Sequence, residues 1–268
     1  MAAPPYPKIE NLYASKDGGE ARAIGVLKRP ARTEQIARWL CTEKIDGTNI
    51  RVSLEPHAAT SVWVVRFYGR TNKAQMPDFI QECLVEMIDA ARLMRLWKCR
   101  RSCSVCGGEG RLPIINPNDL KADGGTLPCP NVVPYPITLY GEAYGAGIQG
   151  GGGDYRQDGD VSFRLFDVLV GEEHWLTWEN VVDVAKVVGI KTVPLVDVID
   201  YGSPANCVRS PVNVKDNIVE YVRESFLSIV ANEEGTPRLA EGIVARTDPY
   251  LFDNNGRRVV FKTKTKDF

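Results

Sequence analysis

Lys44-Ile45-Asp46-Gly47-Thr48-Asn49 is the stretch on which the fold turns. Ahead of it, ARWLCTEK (37–44) reads as a strand, and NIRVSL (49–54) reads as the next one. Asp46-Gly47 supplies a tight turn between them. A lysine therefore stands at a strand end, beside a turn. Most lysines so placed are solvated surface groups. A nucleophilic lysine must be neutral, against a reference pKa of about 10.4. It needs desolvation or neighbouring cations, which one motif cannot supply.

Chemistry-bearing groups follow in order along the chain. Arg70-Thr71-Asn72 ends a strand predicted over 62–69. Leu139-Tyr140-Gly141-Glu142-Ala143-Tyr144-Gly145 sets a carboxylate in the middle of a strand, and Phe163-Arg164-Leu165-Phe166-Asp167 lies on the next one. Glu241-Gly242-Ile243-Val244 places a second carboxylate on a strand. Phe261-Lys262-Thr263-Lys264 puts two lysines at i and i+2, on one strand face. Each stretch also has a plain structural reading. Either phenylalanine suits a core, the carboxylates suit an exposed edge strand, and paired lysines protect sheet edges.

The ordered series resembles motifs I, Ia, III, IIIa, IV and V of the lysine-dependent nucleotidyltransferase superfamily, which comprises ATP-dependent DNA and RNA ligases and mRNA capping enzymes. Within it, KIDGTN, GEAYGAGIQ and FRLFDV are most similar to the RNA ligase 2-like family. DNA ligases and capping enzymes usually carry Arg where this chain has Asn49. The resemblance covers roughly residues 37–266.

The resemblance implies an α+β nucleotidyltransferase fold, ATP-grasp-like, of two packed, mainly antiparallel sheets flanked by helices, with ATP bound between them. It implies an ATP-dependent RNA ligase that joins a 3′-OH to a 5′-phosphate through lysyl-AMP and adenylated RNA. Lys44 would be the nucleophile that carries AMP. Glu142 would bind the ribose or a metal-bound water, Phe166 would stack on adenine, and Glu241 would help seat Mg²⁺ or Mn²⁺. Lys262 and Lys264 would hold the α-phosphate, Arg70 the triphosphate or incoming 5′-phosphate, and Asn49 the phosphates of the adenylated end. Phosphoryl transfer is mostly positioning and charge stabilisation, and cations near the phosphate also favour a neutral lysine. Mg²⁺ suits few carboxylates alongside substrate phosphates.

Alternatives stay open: a minimal ATP-dependent DNA ligase, a capping-type guanylyltransferase, or a non-enzymatic nucleic-acid-binding module built on a zinc knuckle. The family implies RNA repair or nick sealing, with nicked duplex as one substrate, and a compact ligase suggests a phage origin by analogy. A monomer is expected.

Four of the seven cysteines fall in residues 98–131, a glycine- and proline-bearing stretch that breaks the regular pattern. Cys99, Cys103, Cys106 and Cys129 could give an all-thiolate zinc site, with Cys103-Ser-Val-Cys106-Gly as half of a knuckle. Free or redox-active thiols are the competing reading. The segment looks like an insertion between the second and third motifs. From Arg92 to Arg111 the basic residues Arg92, Arg95, Lys98, Arg100, Arg101 and Arg111 stand against one acid, Glu109, and suit either RNA phosphates or a solvated face.

Length allows one large domain or two small ones, and one nucleotidyltransferase domain over 1–268 is expected. The chain has 268 residues, 44% hydrophobic and 25% charged, with 33 basic and 34 acidic side chains. That excludes wholesale disorder and a uniform polycation, so any nucleic-acid contact must be local. There is no apolar run of the ~18 residues a membrane span needs and no secretory pattern at the start. A reducing cytoplasm is expected, the host's if the chain is phage-encoded. The chain ends four residues past Lys264, which leaves no room for the C-terminal domain common in the family. Gly145-x-Gly147-x-x-Gly150 fits a dinucleotide fingerprint, but GGGDYRQDGD follows it, a poor helix start. It reads as a flexible loop. Further expectations are an irregular start over 1–20, helices at 78–97, 178–189 and 214–232, and strands at 137–144, 161–170, 192–199, 240–247 and 257–265.

Overall fold

In the computed structural model the chain is described at residues 3–16, 19, 22–29, 36–56, 63–97, 103–107, 111–113, 126–129, 131, 135–148, 155–156, 158–200, 222 and 226–267. It divides into two compact units. The first holds Met1–Pro5, Ile50–Gly141 and Phe163–Thr192; the second holds Tyr6–Asn49, Glu142–Ser162 and Val193–Phe268. Among the described residues, no helix is long and apolar enough to cross a membrane. Mixed sheets with few helices match the α+β expectation.

In the first unit the sheet order is β11 (His174–Trp175), β10 (Val161–Val170), β9 (Ile137–Gly145), β5 (Thr48–Pro56), β6 (Trp63–Tyr68). A further strand, β12 (Lys191–Thr192), runs parallel to β10. The central β9 and β10 are buried along most of their length, as expected of strands covered on both faces. A separate two-stranded ladder joins β7 (Arg111–Pro113) to β8 (Thr126–Pro128).

The helix expected over 78–97 is two helices, α1 (Asp78–Met87) and α2 (Ala90–Met94). Ile88 turns extended, and Asp89 caps the second helix by accepting from the Arg92 N–H. Asp78 lies in the first turn of α1, not at its N-cap; Pro77 takes that place. The buried stripe is Ile80, Leu84, Ile88 and Leu93, while Phe79 and Ala91 face solvent. The predicted helix near 178 is α3 (Trp178–Val188), which ends where Gly189 takes φ +80° and donates to the Ala185 carbonyl.

The second unit is built on a five-stranded sheet. Its order is β1 (Glu10–Asn11), β15 (Val260–Lys264), β14 (Gly242–Thr247), β4 (Arg38–Lys44), β13 (Leu195–Asp200). The last four pair antiparallel in turn, and β1 runs parallel to β15. Strand alternation sends Trp39, Cys41, Ile243, Ala245 and Phe261 to one face, where Leu12, Tyr13, Ile199 and Val222 complete a core. Trp39 and Phe261 pack there with ring centroids 5.7 Å apart. The same parity puts Lys44, Lys262 and Lys264 on the other face.

Three expectations are corrected here. The start is not wholly irregular: β1 and β2 (Tyr13–Ser15) lie in it, and β2 pairs with β3 (Arg22–Leu27). Strands of two or three residues are too short to show a period. The strand expected over 192–199 is split between β12 and β13, which join different sheets. Of the helix expected over 214–232, residues 214–221 and 223–225 lie outside the described residues; from 226 onward no continuous helix forms, because Leu227 bridges to Leu239 before α4 (Ile229–Glu233). A turn forms at Asp253–Gly256: Asp253 accepts from the N–H groups of Asn255 and Arg257, and Gly256 has φ +70°.

Candidate active site

The sheet register assembles the first cluster. Gly242 pairs with Lys44 on one side and with Lys264 on the other. Three adjacent strands therefore present Lys44 and Lys264 on one rung, with a residue that has no side chain between them. Gly242 must stay bare, because a Cβ there would strike the Thr263 carbonyl. Glu241 stands just before that rung and fills the gap. Its carboxylate pairs with the Lys44 ammonium, and its other oxygen lies 2.5 Å from Lys264 Nζ. Thr265 fixes the backbone of this stretch, donating its N–H to the Glu241 carbonyl at 2.9 Å. Lys262 lies two rungs along, opposite Val244 and beyond it Thr42.

Glu241 is only 12% exposed. Burial pushes its carboxyl up, yet the ammonium groups of Lys44 and Lys264 outweigh burial and hold it below the usual carboxylate range. The arrangement is a buried anion braced by two cations, one of them the sequence-predicted nucleophile.

The turn after Lys44 is held from below. A Cβ on Gly47 would strike the Ala143 carbonyl and come within 3.0 Å of Glu142 Cγ. Only glycine lets the turn lie on this strand, which sets Glu142 beside it. The Asp46 N–H donates to the buried Tyr155 hydroxyl at 3.1 Å. Tyr155 stacks edge-on against Tyr144 and under the Arg238 guanidinium, 4.6 Å from the ring centre. Asn49 Oδ1 is buried and makes no hydrogen bond among the described residues. An orphaned polar atom in this turn leaves one place for a ligand group.

The other predicted residues lie in the first unit. Phe166 is half-buried on β10, whereas Phe163 is core, its ring filling the space a side chain at Gly141 would need. Asp167 is fully buried. Arg70 is exposed. Its neighbour Asn72 is held by the wholly buried Arg51, which donates to Asn72 Oδ1 at 2.9 Å, to the Gly69 carbonyl at 2.8 Å and to the Ala3 carbonyl.

Cys103, Cys106 and Cys129 come together, their sulfur atoms all within 4.8 Å of one another. The Asn131 amide and the backbone N–H groups of Cys106 and Val105 pull the Cys103 thiol down to about 6. Cys99, Lys98, Arg100 and Arg101 lie outside the described residues, as do the side chain of Arg111 and residues 149–154 of the glycine-rich loop. Arg92 turns inward, donating to the Met87 carbonyl.

Sequence reading missed two residues that support the strand and the turn beside this site. Glu43, next to Lys44 but on the core side, is 2% exposed and accepts from Ser228 Oγ at 2.5 Å and from the N–H groups of Ile229 and Val230. It caps α4. The signal was available: a carboxylate in step with Trp39 and Cys41 on a core face needs a buried partner. Tyr155 carried no signal, since a tyrosine in a glycine-rich stretch has no period to betray it.

A search of curated proteins finds no match. Among solved structures, the chain is similar to two forms of an archaeal ATP-dependent RNA ligase, at 15% and 14% identity and TM-scores of 0.53 and 0.54, with 98% of this chain and 48% of theirs covered. It is equally similar to a putative ATP-dependent DNA ligase from Aquifex aeolicus, at 16% identity and a TM-score of 0.52, over 97% of this chain and 50% of that one. The chain thus spans about half the length of these proteins. Their fold is its fold. The model of the RNA ligase family matches residues 37–264, from the strand that carries Lys44 to the last lysine of β15, and the chain belongs to that family.

Proposed function

We propose that the protein is an ATP-dependent RNA ligase that works through a lysyl-AMP intermediate on Lys44. The observation that carries this is the shared rung of Lys44 and Lys264 with Glu241 braced between them. Strand register brings two lysines and a carboxylate together in a chain of the RNA ligase family, and the proposal assigns them as nucleophile, phosphate-binding cation and metal ligand.

In the first step Lys44 Nζ attacks the ATP α-phosphorus. An N–P bond forms, the P–O bond to the β-phosphate breaks, and pyrophosphate leaves. Lys44 attacks as the neutral amine, its proton having passed to solvent, so the ammonium–carboxylate pair with Glu241 does not persist in the attacking state. Lys262 and Lys264 then carry the negative charge of the α-phosphate. In the second step an RNA 5′-phosphate oxygen displaces Lys44 and takes the AMP. In the third a 3′-hydroxyl attacks that 5′-phosphate and AMP departs.

Glu241 and Glu142 offer the few hard carboxylate oxygens that Mg²⁺ or Mn²⁺ would use beside phosphate. The bound ion would supply charge neutralisation. Phe166 is assigned to the adenine, Arg70 to the triphosphate or the 5′-phosphate, and Asn49, whose buried Oδ1 lacks a protein partner among the described residues, to the adenylated end. Residues 1–268 are taken as one nucleotidyltransferase domain.

The test is ATP labelled at the α-phosphate. Wild-type protein should take up one AMP through an acid-labile, alkali-stable bond, and Lys44→Ala should take up none. Label that persists in Lys44→Ala would remove Lys44 as nucleophile. DNA joining is the second reading, because the DNA ligase match is as good as the RNA ligase matches. Nicked duplexes with ribose or deoxyribose on each side of the nick decide between them, since the 2′-OH marks RNA. Uptake of label from GTP instead of ATP would point to a capping-type guanylyltransferase.

A further inference from the structure

We propose that Cys103, Cys106 and Cys129 form a thiolate site for one zinc ion, which ties the 103–107 knuckle to the end of the β7–β8 hairpin. The ion would be structural and separate from the ATP chemistry.

The spacing of the sulfurs fits a metal better than any disulfide. Zinc–thiolate bonds of about 2.3 Å in a tetrahedron put neighbouring sulfurs about 3.8 Å apart. Cys103 Sγ and Cys129 Sγ are 3.9 Å apart, and all three sulfurs lie within 4.8 Å of one another. A disulfide would need about 2.05 Å and would leave the third sulfur unmatched. No carboxylate or imidazole joins the cluster among the described residues, so the donor set is soft and suits zinc over magnesium or calcium.

The backbone is shaped for the same purpose. Gly107, at φ +62°, donates its N–H to the Cys103 carbonyl at 2.8 Å, closing a turn that folds Cys106 back toward Cys103. The Asn131 amide donates to Cys103 Sγ at 3.5 Å. A hydrogen bond of this kind orients and steadies a metal-bound thiolate.

Topology brings in the third ligand. Residues 111–113 pair with 128–126, so the residue after β8, Cys129, is returned to the chain just past the knuckle. Cys129 is 2% exposed, while Cys103 and Cys106 are half-buried. A ladder of three rungs is marginal in water. A structural zinc would make up what the hairpin lacks, because metal-binding free energy is folding free energy in such units.

The experiment uses the full chain, purified without chelator. About one equivalent of zinc is expected. Exchange for Co²⁺ should give tetrahedral visible bands and a near-ultraviolet thiolate-to-cobalt band with the intensity of at least three thiolates. Cys103→Ser, Cys106→Ser and Cys129→Ser should each lose the zinc or bind it at least tenfold more weakly, and Cys83→Ser should keep it. The wild-type cobalt spectrum does not depend on the folding of any variant. Absence of zinc together with absence of the charge-transfer band would overturn the site. So would full zinc in Cys103→Ser, or a band with the intensity of two thiolates or fewer.

Discussion

Two clusters in this protein are held in opposite ways. Lys44, Glu241 and Lys264 hang from three neighbouring strands of a five-stranded sheet whose far face is a packed core. Cys103, Cys106 and Cys129 hang from a five-residue turn and a three-rung hairpin. In the first, backbone pairing sets the positions and the ionic contacts follow. In the second, little besides the ligands fixes the geometry. The cysteines themselves show the contrast. Cys41, inside the sheet core, is pushed up to about 12 by burial and by Asp197, and is a packing residue. Cys103 is drawn the other way by its hydrogen-bond donors.

The largest effects are expected where the sheet presents charge. Lys264→Ala and Lys262→Ala should each slow lysine adenylylation by about 10²–10³, the usual cost of losing one donor to a developing charge. Single-turnover labelling with ATP measures it. If Lys264→Ala labels normally, the shared rung is structural only.

Glu241 has a signature in stability as well. Its carboxyl is held below the reference value of 4.5 because the Lys44 and Lys264 ammonium groups outweigh burial. A lowered carboxyl contributes stability above its unfolded pKa and loses it as pH falls through the folded one. Glu241→Gln should therefore be less stable than wild type at pH 7, by about 1–3 kcal/mol. The two proteins should converge only once pH falls through the folded carboxyl's own pKa, which lies below that reference, because wild type is then protonated too. Thermal melts across pH 3–8 test this, and a gap that persists in acid would assign the loss to packing.

How much of this was legible follows from what each feature needs. Alternation along β15 is a local pattern, and it put Lys262 and Lys264 on one face once the strand was recognised; that Lys44 shares this face follows from the pairing of β4, β14 and β15. The rung itself was not legible, since Gly242 opposite Lys44 is a matter of register between strands nearly 200 residues apart. The same holds for Glu43, whose carboxylate meets Ser228 Oγ at a separation of 185 residues. The break between α1 and α2 was hidden because Ile88 kept the apolar spacing while its backbone turned extended.

Glu43 and Tyr155 sharpen the comparison on the sheet side. Glu43→Ala strips the cap from α4 and leaves the N–H groups of Ile229 and Val230 without their acceptor, so about 1–2 kcal/mol of stability should be lost. Labelling of Lys44 should follow only through stability. Tyr155→Phe keeps the ring against Tyr144 and removes the acceptor for the Asp46 N–H. One neutral hydrogen bond is worth about 1 kcal/mol, so adenylylation should fall about fivefold. The loss should appear in the rate at saturating ATP, with the ATP concentration for half-maximal rate little changed. An unchanged rate would make Tyr155 a core residue.

The smallest expected effect is the one that most clearly separates the two clusters. Strip the protein of tightly bound metal with a chelator, remove the chelator, and restore Mg²⁺. Lysine adenylylation should stay within about twofold of its starting rate, because the Lys44 rung is fixed by β4, β14 and β15 and by the core on their far face. The 103–129 stretch should become open to protease at once, since a knuckle and a three-rung ladder cannot close without the ion. Added Zn²⁺ should restore protection. If adenylylation collapses with the metal and returns with zinc, the sheet does not place its own site and the two clusters are one structure. If the stretch stays protected without metal, the hairpin is self-supporting and zinc has no structural role there.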